Sequence, residues 1–197
     1  MNQTLPDWRK EPVLVLTSDT DWASEFAIEQ LLDFAITRDI RPTADRLRQT
    51  LFDILAHAYD DAVAGARVLD LFAGTGALGL EALSRGAAHC LFVDSARAAC
   101  EHIAAHLALL SCPDGSVQTA DAATWLQRKP DNAAPFDMVF LDPPFRQDLL
   151  HACCDGLERG GWLTAQAWIY IEAGADETLP ALPANCSLNR DKRAGQV

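Results

Sequence analysis

The chain has 197 residues, 49% of them hydrophobic and 22% charged, which suits one main soluble domain with a sizeable apolar core and excludes a disordered or fibrous chain. No apolar run approaches the roughly 20 residues of a membrane span, and the polar start Met1-Asn2-Gln3-Thr4 lacks a secretory pattern, so a cytoplasmic protein with no membrane partner is expected. The formal net charge of -12 works against binding a polyanion, so any nucleic-acid partner must be met by local basic patches such as Arg41, Arg46 and Arg48.

Strands and helices alternate along most of the chain, which predicts a mostly parallel sheet with helices on both faces. Before residue 40 the pattern differs. Pro12 to Leu16 reads as a short strand, and Ile28, Leu31, Leu32 and Ala35 fall at helical spacing, so residues 1–40 are expected to form an accessory segment ahead of a domain spanning 41–197. A helix follows from Thr43, as N-cap, to about Tyr59, with Leu47, Leu51, Ile54 and Leu55 as its apolar stripe. Ala66 to Phe72 is an apolar strand leading into a glycine-rich turn, and Ala77 to Ser84 continues as a helix closed by Gly86. His89 to Val93 is a second buried strand, with a helix from about Ala96 to Leu110 after it. Ser116 to Thr119 and Phe136 to Leu141 are the next strands, and the latter stops at two prolines that cannot donate to a sheet ladder. Gln147 to Leu157 reads as a helix, Trp168 to Ile171 as a fifth core strand, and Leu188 to Val197 as the start of a sixth.

Six cysteines are scattered without a Cys-x-x-Cys pair, and no histidine stands at zinc-ligand spacing. His102 and His106 lie at i, i+4 but lack a nearby third ligand, so they are expected on a solvated helix face. No metal site is expected.

Gly74-Thr75-Gly76-Ala77-Leu78-Gly79 is a full G-x-G-x-x-G between a buried strand and a helix, the context in which that pattern gains meaning. Glycines let backbone approach a nucleotide-like ligand, and Phe72 and Ala73 complete the turn. Asp70 adds a carboxylate on the strand side, and Asp94 ends the next strand, where it can accept hydrogen bonds from ribose hydroxyls. A packing turn would need the same glycines. The loop alone does not choose between a dinucleotide and S-adenosyl-L-methionine. Asp70 favours the latter, since a carboxylate suits the cationic methionine end and repels a pyrophosphate. Asp121, followed by Ala122, stands just after the third core strand and can accept from the adenine amine, although an Asp there also suits a helix N-cap.

Asp142-Pro143-Pro144-Phe145 carries the chemistry. An exocyclic base amine is a poor nucleophile because its lone pair is delocalised into the ring. The Asp142 carboxylate and the Pro143 carbonyl can hold it with that lone pair aimed at a methyl sulfonium. The prolines stiffen the loop, and the Phe145 ring offers a surface on which an extruded base stacks. A proline-rich turn is the bland alternative, which the glycine loop and Asp94, in this order, argue against.

From Arg41 to Phe145 the chain resembles the bacterial 16S ribosomal RNA guanine-N2 methyltransferases of the RsmD type. The resemblance rests on Arg41-Pro42-Thr43, Asp45-Arg46, Leu51-Phe52, Val68 to Gly79, Glu81 to Gly86, Asp121-Ala122 and Phe140 to Phe145. It implies a Rossmann-like three-layer α/β sandwich, S-adenosyl-L-methionine as donor, and 16S ribosomal RNA or the 30S particle as partner. It also implies that Asp142, Pro143, Pro144 and Phe145 form the catalytic loop, and that Arg41, Thr43 and Arg46 line the RNA and cofactor side of the pocket. Glu81 and Arg85 read as a structural i, i+4 helix pair. Where the family opens with a basic hairpin, residues 1–40 carry eight acids against three bases, and the family's closing hairpin reaches only its approach here, Asp191 to Val197. A sheet open to lacking its last strand is therefore expected. The rival readings are a DNA adenine-N6 methyltransferase, a protein that binds S-adenosyl-L-methionine or RNA without turnover, and a dehydrogenase, for which the chain offers no acid/base residue.

Overall fold

The structure, a computed structural model, describes residues 12–17, 44–58, 62–130, 132–144, 149–172 and 187–193. Its strands are β1 (Pro12–Thr17), β2 (Arg67–Leu71), β3 (His89–Asp94), β4 (Gly115–Thr119), β5 (Phe136–Leu141), β6 (Leu163–Glu172) and β7 (Ser187–Arg193). Helices are α1 (Ala44–Ala58), α2 (Ala77–Ser84), α3 (Arg97–Leu109), α4 (Ala122–Leu126) and α5 (Leu149–Arg159). The strands form one seven-stranded sheet in the order β4-β3-β2-β5-β6-β1-β7. β4, β3, β2, β5 and β6 are parallel, while β1 runs antiparallel to both of its neighbours.

Alternation along the strands sends successive residues to opposite faces, and each face builds its own core. On one side Leu69, Leu71, Val139, Leu141, Ile169 and Ile171 pack against Leu126 of α4 and Leu150, Cys153 and Leu157 of α5. On the other, Val68, Phe92, Met138, Phe140 and Tyr170 pack against Phe52 and Leu55 of α1, Ala82 of α2 and Ile103 and Leu107 of α3. This is the expected three-layer α/β sandwich. Leu51, Ile54 and Leu55 of the predicted α1 stripe are buried, and so is Phe52, whose ring meets Phe140 edge-on at 5.7 Å.

Three elements differ from the sequence reading. β6 begins at Leu163, earlier than expected, because Thr164, Ala165 and Gln166 carry no apolar signal and its first pairing, Phe136↔Leu163, is non-local. α4 is a short helix that the sequence suggests only through its N-cap. The approach to the family's last strand ends as β7 at Arg193, and the position between β6 and β7 is filled by β1, with Val13↔Glu172 on one side and Val13↔Lys192 on the other. No strand after β7 is described, yet β6 is paired along both sides. Residues 12–17 thus belong to the main sheet. The helical pattern over 23–36 lies outside the described residues.

Candidate active site

Chain order reverses direction in the sheet between β2 and β5: β3 and β4 follow β2 to one side, and β6 follows β5 to the other. Ligands of open α/β sheets bind beyond the carboxyl ends of strands at such a switch. Among the described residues, Asp70, Phe72 to Gly76, Asp94, Asp121, Ala122 and Asp142 to Pro144 lie at or just beyond those strand ends.

The loop after β2 is held in unusual backbone geometry. Phe72 has φ 61, a left-handed conformation rare outside glycine, and Gly76 has φ 76 as the residue before α2. A Cβ on Gly76 would stand 2.9 Å from the Ile103 side chain, so α3 closes behind the turn. Gly79 serves a different need: its Cβ would fall 2.3 Å from the Phe92 ring and 2.7 Å from the Cys90 sulfur, and only a bare backbone lets α2 lie this close to β3. Gly74, by contrast, has no side chain crowding its Cβ position, whose nearest neighbour is the Phe72 carbonyl oxygen at 3.8 Å. Its face is the open one.

Two carboxylates organise this loop. Asp94, at the end of β3, accepts from the Gly74 N–H at 2.8 Å through Oδ2 and from the Ala96 N–H at 2.7 Å through Oδ1, tying the glycine turn to the start of α3. Each carboxylate oxygen has a second lone pair with which to accept a further hydrogen bond. Asp70 is 3% exposed and accepts from the Gly79 N–H at 2.9 Å. Gly76 has no side chain with which to cap α2, so Asp70, on the strand that leads into that helix, satisfies a first-turn N–H. Burial pushes its carboxyl up to about 8; the Gly79 hydrogen bond opposes this and the nearby Asp142 and Asp94 charges reinforce it. A neighbouring positive charge would favour the ionised form of this acid.

Asp121 caps α4 by accepting from the Thr124 N–H at 2.9 Å, and hydrogen bonds from the Thr124 side chain and then its N–H hold the carboxyl below the usual range. It is exposed beside the β3 and β4 ends, where the Ala120 N–H donates to the Asp94 carbonyl at 2.9 Å. Ala122 is buried beneath it. Asp142 follows β5 directly and is half-buried, with Pro143 buried and Pro144 exposed. Phe145, Arg41 and Thr43 lie outside the described residues, as does the side chain of Arg46 in α1.

The comparisons place this arrangement among known proteins. The family described as Conserved hypothetical protein 95 matches residues 27–197. The ribosomal RNA small subunit methyltransferase D of Escherichia coli (strain K12) is 45% identical over 158 residues, spanning 80% of this chain and 76% of the relative. The protein of that name from Haemophilus influenzae is 34% identical, spanning 80% of each. The chain belongs to the methyltransferase D family. A solved structure described as methyltransferase yhhF from Escherichia coli superposes with a TM-score of 0.71 at 42% identity, covering 80% of this chain and 85% of the other. The methylase HI0767 of Haemophilus influenzae gives 0.62 at 34% identity, covering 71% and 85%.

Within this methyltransferase D family member, Arg48 of α1, expected in a basic patch, is half-buried. It pairs with Glu81 at 3.9 Å, and Arg85 joins Glu81 at 2.7 Å and Asp53 at 3.4 Å while lying over the Phe52 ring. The expected Glu81–Arg85 helix pair is therefore part of a network that fastens α1 to α2. His102 and His106 are exposed on α3, as expected. Sequence reasoning missed Tyr170 and Glu172 at the end of β6, where the Tyr170 hydroxyl donates to Glu172 Oε1 at 2.6 Å. No motif marks them; only the pairing of β6 with β5 reveals their place.

Proposed function

We propose that this chain transfers a methyl group from S-adenosyl-L-methionine to the exocyclic N2 amine of a guanine in 16S ribosomal RNA. The observation that carries this reading is the position of Asp142-Pro143 at the end of β5, next to β2, whose end bears Asp70 and the glycine loop. A target amine and a methyl donor are thereby brought to one switch point. The donor set suits S-adenosyl-L-methionine: a buried acid for an ammonium group, an open glycine backbone, and a strand-end Asp for a ribose. When bound, that cofactor supplies an electrophilic methyl on a sulfonium centre.

The protein's own share is positioning and charge. Asp70 and residues Phe72 to Gly76 hold the methionine end, Asp94 the ribose, and Asp121 with Ala122 the adenine. Asp142 and the Pro143 carbonyl each accept one hydrogen bond from the amine, which turns its lone pair toward the methyl group. As the amine gains positive charge, the Asp142 carboxylate stabilises it. Phe145 stacks on the base, and Arg41, Thr43 and Arg46 meet the RNA.

The test is transfer of labelled methyl from S-adenosyl-L-methionine to protein-free 16S rRNA, 30S particles and duplex DNA. Label on N2-methylguanine in RNA is expected. Label on adenine in DNA would favour the DNA enzyme, and binding without turnover on all three would make the chain a binding protein.

A further inference from the structure

β5 and β6 are parallel and in register at their carboxyl ends, with Phe140↔Tyr170 and Leu141↔Ile171. The ladder ends there: Asp142 follows Leu141 directly and Glu172 follows Ile171 as the last residue of β6, so the two acids leave neighbouring strand ends. Glu172 is half-buried, and its Oε1 is fixed by the Tyr170 hydroxyl at 2.6 Å. Tyr170 is 6% exposed and packs edge-on against Phe140 at 6.2 Å, so the arm that holds Glu172 is rigid. Oε2 of Glu172 has no other partner among the described residues. Asp142 lies near enough for its charge to act on the Tyr170 hydroxyl. Two carboxylates thus stand side by side at the place assigned to the target base.

Two adjacent acceptors demand two adjacent donors. Of the three bases with an exocyclic amine, adenine and cytosine carry a ring nitrogen lone pair next to that amine, which a second carboxylate would repel. Guanine alone presents a ring N1–H beside its N2 amine. We infer that Glu172 is the specificity-determining residue of this site, its Oε2 accepting the N1–H of guanine while Asp142 and Pro143 hold the N2 amine. The inference rests on the methyl-transfer reading above and adds to it a reason for the base.

The experiment first maps the methyl-accepting nucleotide with the wild-type protein, then replaces it in synthetic RNA by 2-aminopurine, which keeps the amine but has a lone pair at N1. Wild-type protein should show kcat/KM at least about 100-fold lower on 2-aminopurine than on guanine, the order for a buried polar group left facing the wrong partner. Glu172→Gln can still accept from Tyr170 and presents an NH₂ to the base. It should lose about 100-fold on guanine and lose nothing, or gain, on 2-aminopurine, with S-adenosyl-L-methionine affinity by calorimetry changed less than twofold. Tyr170→Phe, which releases Glu172 without altering its charge, should lose about tenfold on guanine alone. Equal losses on both bases, or an unaltered base preference in Glu172→Gln, would overturn the assignment while leaving guanine methylation standing. A mapped target other than guanine would overturn the reading itself, and the role of Glu172 with it.

Discussion

With Asp70 holding the methionine ammonium, as proposed, the affinity for S-adenosyl-L-methionine should depend on pH, and the raised carboxyl pKa sets the direction. Its carboxyl lies at about 8 in the folded chain against an ordinary 3.8, so the folded state binds that proton more tightly. The neutral acid stabilises the ligand-free fold below pH 3.8, and this contribution is lost as pH rises toward 8, by up to about 1.4 kcal/mol per unit. An ammonium ligand needs the opposite form. The ionised fraction is about 1% at pH 6 and about 50% at pH 8, while an α-ammonium with a pKa of about 7.8 falls from nearly full protonation to about 40%. The product of the two rises about 20-fold between pH 6 and pH 8, or about 1.8 kcal/mol, and falls above pH 8 as the ligand loses its proton.

Isothermal calorimetry across that range, repeated in buffers of different ionisation enthalpy, should show this rise together with release of about one proton per ligand bound at pH 6 to 7. Asp70→Asn, whose carbonyl still accepts the Gly79 N–H, should bind more weakly at pH 8 by roughly 1.5–3 kcal/mol and give a flat profile from pH 6 to 7. A wild-type affinity that does not change between pH 6 and pH 8, or one that falls as Asp70 ionises, would refute the pairing of Asp70 with the methionine ammonium. The acid would then be a helix cap only.

Asp142→Ala should abolish methyl transfer while leaving S-adenosyl-L-methionine affinity nearly intact in calorimetry, since the carboxylate is assigned to the amine. Asp94→Ala removes both the proposed ribose acceptor and the ties to Gly74 and Ala96, and should weaken cofactor binding by roughly 1.5–3 kcal/mol. Gly79→Ala drives a methyl into Phe92 and Cys90, and thermal unfolding should register a loss of about 1–3 kcal/mol, or about 2–4 °C per kcal/mol. Arg190, Lys192 and Arg193 lie on the edge strand β7; replacing all three with Gln should lower the slope of log RNA affinity against log salt by about 2–3 if each meets a phosphate, and an unchanged slope would leave them as guards of the sheet edge.

How far the sequence discloses this site depends on whether the controlling contact is local. The glycine turn, Asp94 and the Asp142-Pro143 loop are legible because strand, turn and helix follow one another within a few residues. Asp121 reads correctly as an N-cap for the same reason. Asp70 is legible as an acid but not as the cap of α2, because the helix it serves has glycine at the capping position and the bond spans nine residues. Glu172 is one acid among 28, and only the register of β6 on β5 sets it beside Asp142. The ion pair of Arg48 and the sheet position of β1 are not legible in sequence patterning for a common reason. Their partners, Glu81 and the edges of β6 and β7, are settled by packing across the chain rather than by spacing along it.

The net charge of -12, awkward for a protein that meets RNA, takes on another meaning once the strand ends are put in order. Across the carboxyl edge of the sheet stand Asp94 on β3, Asp70 on β2, Asp142 after β5 and Glu172 on β6, all acids, followed by β1 and then by β7 with its three bases. In the proposed reaction the acidic half would face the groups that gain or carry positive charge: the sulfonium, the ammonium and the attacked amine. The basic strand lies three inter-strand steps from β5, about 14 Å, far enough that water and salt weaken its attraction for the acids. A phosphate on β7 and a base over Asp142 can therefore belong to one RNA segment, while backbone phosphates are repelled from the acidic cradle itself. Such a division favours a nucleotide extruded from its helix, since only a base held away from its own backbone reaches Asp142 without bringing its phosphates among the carboxylates.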